Sequence, residues 1–351
     1  MRTGTWRTAL RGSVLLVVVS ALLFGGGAAA QERFPGAEWD HVNPAKDHWS
    51  GDGLALARSW SRKIKSTAVL VIHHGAVVVD WGDTAKRVEL HSVRKSLLSA
   101  LIGIAVAQGK ISLDSTLAQL GIDDNPPSLT EAEKQATVRM LLEARSGVYH
   151  PALYETPGMA AKRPARGSHP PGTFWYYNNW DFDALGTIFE HATGTGIYDA
   201  LDAQIAKPIG MQDYRPQDGH YVTGAASIHR AYPVRMSARD LARFALLYLH
   251  DGAWAGRQVV PADWVRESTR SYSDAGSARG YGYLWWTAAP GNELPEGSFC
   301  ALGDGGQAAC IIPADDLVIV HLEETPPGTS LRNVFRLLRY MLLAGGYRPG
   351  R

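Results

Sequence analysis

The chain has 351 residues, a formal net charge of +1 and 45% hydrophobic residues, a profile that suits a globular enzyme with a sizeable core. The near-neutral balance offers no electrostatic footprint for nucleic acid. Two cysteines, Cys300 and Cys310, do not make a metal site, and no His-x-Glu, His-Glu-x-x-His or glycine-rich phosphate-loop pattern occurs, so neither a metal nor an organic cofactor is expected.

In chain order, residues 1–30 read as a secretory leader. Arg2, Arg7 and Arg11 precede an apolar run over 13–24, and Ala28-Ala29-Ala30 supplies small residues for cleavage before Gln31. The run is shorter than the roughly 20 apolar residues that span a bilayer. The mature chain is therefore expected to be periplasmic or extracellular, with no stable membrane anchor. Two β-branched segments, 67–72 and 76–81, flank His73-His74-Gly75 as a hairpin. A helical pattern over 92–108 is apolar on most sides, which predicts a buried helix stopped by Gly109. Residues 114–268 read as helices joined by long loops, with helices at 185–192 and at 237–250, the latter capped by Ser237. Strands are expected at 281–287, 298–302, 307–312 and 317–322, then an amphipathic helix over 331–343. Strands at both ends imply an α/β (α+β) protein with one antiparallel sheet. Residues 31–90 and 269–351 would form a discontinuous sheet domain, residues 91–268 a helical domain, and the catalytic cleft would lie between them.

Three segments carry chemistry. In Ser92-Val93-Arg94-Lys95, residues three apart share a helix face, so Lys95 can reach the Ser92 hydroxyl. A serine needs a base to become a nucleophile. Lysine serves only if burial brings its pKa down by about 3 units, roughly 4–5 kcal/mol. In Pro171-Gly172-Thr173-Phe174-Trp175-Tyr176-Tyr177-Asn178-Asn179, a tyrosine hydroxyl near a neutral lysine can relay a proton and an asparagine can hold both lysine and substrate. The competing reading is a core aromatic cluster. In Gly303-Asp304-Gly305-Gly306-Gln307, glycines permit close backbone approach, and an N–H on the next strand can pair with that of Ser92 as an oxyanion hole. The competing reading is a hairpin turn. Cys300 and Cys310 lie symmetrically about Gly305, as partners on paired strands would, so they are expected to form a disulfide.

The order Ser-x-x-Lys, Pro-Gly-x-x-aromatic-x-Tyr-x-Asn and a glycine-rich third motif resembles the serine β-lactamase-related hydrolases. These include class C β-lactamases, D-alanyl-D-alanine carboxypeptidases, family VIII esterases and 6-aminohexanoate-dimer hydrolases. Ser146-Gly147, the segment Met236-Ser237-Ala238-Arg239-Asp240-Leu241-Ala242 and Gly280-Tyr281-Gly282-Tyr283-Leu284-Trp285-Trp286 extend the likeness. It implies the penicillin-recognising fold, with Ser92 as nucleophile, Lys95 as base, and Tyr177 as proton relay in preference to Tyr176. It further implies Asn179 as a substrate contact and the Gln307 backbone N–H as the second oxyanion donor. Where β-lactamases carry Lys-Thr-Gly, this chain reads Asp304-Gly305-Gly306, which works against a substrate carboxylate: a unit charge at about 4 Å is worth roughly 4 kcal/mol at an effective dielectric of about 20. The resemblance therefore points to an esterase or amidase acting on a small molecule, with β-lactamase or carboxypeptidase as the alternative and a non-catalytic binding protein as the rival outside the enzymes.

Overall fold

The computed structural model describes residues 1–4, 33–324 and 328–347. The apolar run and cleavage motif of the expected leader lie outside the described residues. Among the described residues no helix is long and apolar enough to cross a membrane.

Residues Arg33–Arg351 are one unit built on an eight-stranded antiparallel sheet. A helix that the sequence reading missed, α1 (Gly51–Lys63), comes first, capped by Ser50, whose hydroxyl accepts from the Gly53 N–H. The expected hairpin follows as β1 (Ala68–His73) and β2 (Ala76–Gly82). Next come the helices α2 (Arg94–Ala107), α3 (Asn179–Thr193) and α4 (Ala238–Leu249). The chain then returns to the sheet as β3 (Ser273–Asp274), β4 (Arg279–Tyr281), β5 (Trp286–Ala288), β6 (Phe299–Gly303), β7 (Gln307–Ile312) and β8 (Leu317–Leu322), and closes with α5 (Leu331–Ala344). The strand order is β2-β1-β8-β7-β6-β5-β4-β3. Both ends of the chain thus share one sheet, as expected.

Successive strand side chains point to opposite faces. In β1, Val69 and Val71 enter a core with Ala57 of α1 and Leu337, Leu338 and Met341 of α5. Ala68, Leu70 and Ile72 enter the other core, with Leu97, Leu98 and Leu101 of α2 and Leu241 and Ala245 of α4. Both faces are covered, which is why the strand reads as an unbroken apolar run rather than an alternation.

Three expectations need correction in detail. The strand expected over 281–287 is two strands: Gly282 N–H donates to the Trp285 carbonyl at 2.8 Å, and Leu284 turns the chain at φ 66°. The helix expected at 185 begins at Asn179, because the Asn178 side chain caps it by accepting from the Trp180 N–H at 3.3 Å. The helix expected from Ser92 is a 3-10 turn, His91–Val93, before α2 proper.

Candidate active site

The site is assembled where α2, the start of α3 and the end of β6 meet. Ser92 sits in the 3-10 turn, and Lys95 lies one turn further on, at the start of α2. The Lys95 Nζ is 3.0 Å from Ser92 Oγ, 2.7 Å from the Tyr177 hydroxyl and 2.8 Å from Asn179 Oδ1. It also lies 4.3 Å from the Tyr177 ring centroid and 4.5 Å from that of Phe182. Tyr177 is fixed in turn by Trp286, which stacks on it at 5.3 Å. The Asn179 amide is oriented from behind, since its Nδ2 donates to the Tyr154 carbonyl at 2.8 Å. That bond leaves its oxygen for the lysine.

Lys95 is only 1% exposed. Burial above all, then the adjacent Arg94 guanidinium, hold its ammonium well below the usual lysine range, while Asp183 pulls the other way. Burial pushes the Tyr177 hydroxyl up to about 12, against smaller opposing effects of Ser92 and Arg94. Of the two groups beside the serine, burial favours the neutral form of both, the amine by losing its proton and the phenol by keeping it.

The glycine at the end of β6 is required by sterics. A Cβ on Gly303 would fall 2.4 Å from the Leu90 carbonyl oxygen and 3.2 Å from the Ser92 nitrogen. The strand end therefore lies directly against the backbone that presents Ser92. Around it opens a cleft of about 510 Å³ lined by Ser92, Tyr177, Asn179, Trp286, Leu302, Gly303, Asp304 and the segment Tyr154–Pro157, among others. A larger hollow, about 670 Å³, is lined by Trp49, His73, His74 and Asp316 and contains none of these groups. Chemistry rather than size selects the smaller one.

A sequence model of the Beta-lactamase family matches residues 47–339. The chain belongs to the Beta-lactamase family. It is 25% identical over 270 residues to the 6-aminohexanoate-dimer hydrolase of Paenarthrobacter ureafaciens, covering 68% of this chain and 66% of that protein. With esterase EstB of Burkholderia gladioli it shares 26% identity over 172 residues, 43% of this chain and 44% of the esterase. Among solved structures, a Bacillus anthracis protein provisionally named a 6-aminohexanoate-dimer hydrolase superposes with a TM-score of 0.67 at 21% identity, over 90% of this chain and 89% of that one. The octameric penicillin-binding protein homologue of Pyrococcus abyssi gives 0.65 at 18% identity, over 86% and 78%. These structural likenesses show the fold, which is the penicillin-recognising one.

Within that family fold, the structure brings Ser92, Lys95, Tyr177 and Asn179 together. Tyr176 is turned away, and its hydroxyl donates to the Met159 carbonyl at 2.9 Å. Asn178 is committed to capping α3 and to the Val148 carbonyl, 2.7 Å from its Nδ2. Ser146 is latched to α3 by its hydroxyl, which donates to Asp181 Oδ1 at 2.5 Å. The third motif is only partly at the site. Asp304 lines the cleft with its side chain exposed, but Gly305, Gly306 and Gln307 do not line it, a correction to the sequence reading. Gly305 and Gly306 turn towards the start of α5, the Gly305 carbonyl accepting from the Thr329 N–H at 3.2 Å. The Gln307 amide is spent on β8: its Nε2 donates to the Glu323 carbonyl at 2.6 Å and its Oε1 accepts from the Glu323 N–H at 3.0 Å. Cys300 and Cys310 face each other on β6 and β7 and are joined as a disulfide. Arg163 pairs with Glu155 and Arg166 with Glu133.

Sequence reasoning missed Tyr154, Glu155, Trp286 and Leu302 as cleft residues. Gly303 was read only as part of the third motif, as a glycine that permits close backbone approach. Tyr154 and Glu155 sit in a loop with no periodic pattern to place them.

Proposed function

We propose that this Beta-lactamase-family chain is an exported serine hydrolase that cleaves small neutral or amine-bearing esters or amides through an acyl-enzyme. The observation that carries the reading is the single buried amine of Lys95 shared by Ser92, Tyr177 and Asn179. A neutral amine has two N–H donors and one lone pair. Donation to Asn179 Oδ1 and to the Tyr177 oxygen leaves the lone pair facing the Ser92 hydroxyl. Ser92 Oγ then attacks the substrate carbonyl carbon as its proton passes to Lys95. The negative charge that develops on the carbonyl oxygen meets the backbone N–H of Ser92. The second donor is reassigned from Gln307 to Asp304, the residue after Gly303, which packs against the Ser92 nitrogen and lines the same cleft. Collapse breaks the bond to the leaving group, which takes a proton from Tyr177, and Tyr177 is reprotonated from Lys95. Water then repeats the sequence on the acyl-enzyme and frees the acid.

The substrate class follows from charge. Among the described residues the cleft lining holds no lysine or arginine, and its carboxylates are Glu155, which is paired with Arg163, and Asp304. An anionic substrate group would meet repulsion from Asp304, and an ammonium would not. Export rests on the leader pattern of residues 1–30. The test is a kcat/KM panel of p-nitrophenyl butyrate, aminohexanoate dimer, a D-amino-acid peptide and nitrocefin on wild type and Asp304→Lys. An ester or the dimer should be preferred by wild type, and Asp304→Lys should raise nitrocefin relative to butyrate by about tenfold, the effect of roughly 1.4 kcal/mol. Nitrocefin as the best wild-type substrate, or an unchanged ratio in Asp304→Lys, would overturn the substrate class.

A further inference from the structure

Next to the Lys95 amine lies a second buried charge pair that the reaction above does not use. Arg94 Nη2 is 3.8 Å from Asp183 Oδ1, and both side chains are 1% exposed. The pair makes no direct hydrogen bond, and among the described residues Arg94 Nε, Arg94 Nη2 and both Asp183 carboxylate oxygens have no hydrogen-bond partner. The rest of the guanidinium is held firmly. Its Nη1 donates to the His91 carbonyl at 3.1 Å, and it lies 5.0 Å from the ring centroid of Tyr154 and 5.0 Å from that of Tyr232. His91 immediately precedes the nucleophile and has φ 48°, a conformation that costs energy for a non-glycine residue and persists only when its surroundings enforce it.

Such a pair is a poor stabiliser. Buried charges recover their desolvation cost only in close, fully hydrogen-bonded geometry, which this pair lacks. Its placement gives it another use. The Arg94 charge disfavours an ammonium on Lys95 and favours a phenolate on Tyr177, and Asp183 opposes it at both. Burial raises the Asp183 carboxyl itself to about 7, with Arg94 and Lys95 holding it down.

We propose that Arg94 and Asp183 are positioning residues for the Ser92–Lys95–Tyr177 site: Arg94 clamps the His91 turn that presents Ser92, and the two opposed charges set the field at the Lys95 amine. This rests on the serine-hydrolase reading. The other titratable groups around the pair are accounted for. Tyr232 and Tyr281 are held as neutral phenols by burial, as is Tyr198 of the helical turn Ile197–Leu201. Asp181 of α3 is bonded to Ser146 and Asn178. Glu155, in the loop over the cleft, pairs with Arg163, and His91 Nδ1 is 3.2 Å from the Tyr154 hydroxyl, which donates to Glu89.

The test is the pH dependence of kcat/KM on p-nitrophenyl butyrate, whose acid limb reports deprotonation of the base in the free enzyme. Arg94→Met removes the charge that disfavours the ammonium. Its limb should move to higher pH, with the rate at pH 7 falling on the order of tenfold. Asp183→Asn removes the opposing charge, and its limb should move to lower pH. The double variant, neutral in both places, should return towards the wild-type limb. Fluorophosphonate labelling across pH, which counts only folded sites, should give the same order. If Arg94→Met or Asp183→Asn folds too poorly to assay, Arg94→Gln and Asp183→Ser keep a polar group in each place and carry the same opposed expectation. Rates that fall with no movement of the limb, or limbs that move the same way in both single variants, would reduce the pair to a structural role and overturn the proposal. Wild type that takes no label on Ser92 would instead overturn the hydrolase reading beneath it.

Discussion

Two buried polar clusters sit on either side of the β6 end, and they are built differently. At the base of the β6–β7 hairpin every ring nitrogen and amide atom of His321 and Gln307 is bonded. His321 Nδ1 lies 2.7 Å from the Gly306 carbonyl and Nε2 lies 2.8 Å from Ser66 Oγ, and Gln307 makes both of its bonds to Glu323. Under Ser92, one lysine amine is shared three ways, and beside it Arg94 and Asp183 keep atoms unbonded among the described residues. A fully satisfied buried network fixes a fold, whereas a partly satisfied one stores the perturbed protonation that chemistry needs. The first cluster should therefore govern stability and the second activity.

Substitutions can break that division. Lys95→Arg should have the largest effect, lowering kcat/KM on p-nitrophenyl butyrate by about 10³-fold or more, because arginine keeps its proton and cannot accept one from Ser92. Denaturant unfolding of the same variant checks that the loss is not one of folding. Tyr177→Phe should follow, with a loss of about 10²–10⁴-fold, the usual worth of a positioned proton donor. Tyr176→Phe, which loses only its bond to the Met159 carbonyl, should cost a few-fold at most on the order of one neutral hydrogen bond. The reverse ranking would move the relay to the other tyrosine.

The hairpin cluster gives the opposite signature. Burial lowers the His321 pKa from 6.5 to about 4. A histidine that stays neutral in the fold but protonates when unfolded adds stability above its unfolded value, and that stability is lost as pH falls towards the folded value. Unfolding free energy should therefore drop by about 3 kcal/mol between pH 6.5 and 4 on account of this group. His321→Gln should flatten that part of the stability curve while lowering stability at pH 7. Equal slopes in the two proteins would show that another group titrates there.

The comparison also explains what the sequence could and could not disclose. Ser92 and Lys95 were legible because one helical turn relates them, and Tyr177 because its distances back to Pro171-Gly172 and forward to Leu185-Gly186 separate it from Tyr176, which also has an asparagine two residues on. The sheet was legible from β-branched runs at both ends of the chain. The setting of Gln307 was not legible because it depends on where the 3-10 turn Asp304–Gly306 sends the chain, and three glycine-rich residues carry no pattern that fixes that path. The break between β4 and β5 was hidden for a related reason: an aromatic run reads as extended until a left-handed Leu284 interrupts it. Nothing in the sequence singled out Arg94, and only the packing of Tyr154 and Tyr232 around it reveals a buried charge.

The central claim is that Ser92 is an activated nucleophile, and active-site labelling tests it most directly. Purified protein is treated with a fluorophosphonate and its intact mass and peptide map are read. The account predicts one label per chain, on the peptide containing Ser92, and none on Ser92→Ala. A Ser92→Ala protein that labels as wild type does, or a wild type that turns over esters without taking the label, would contradict it.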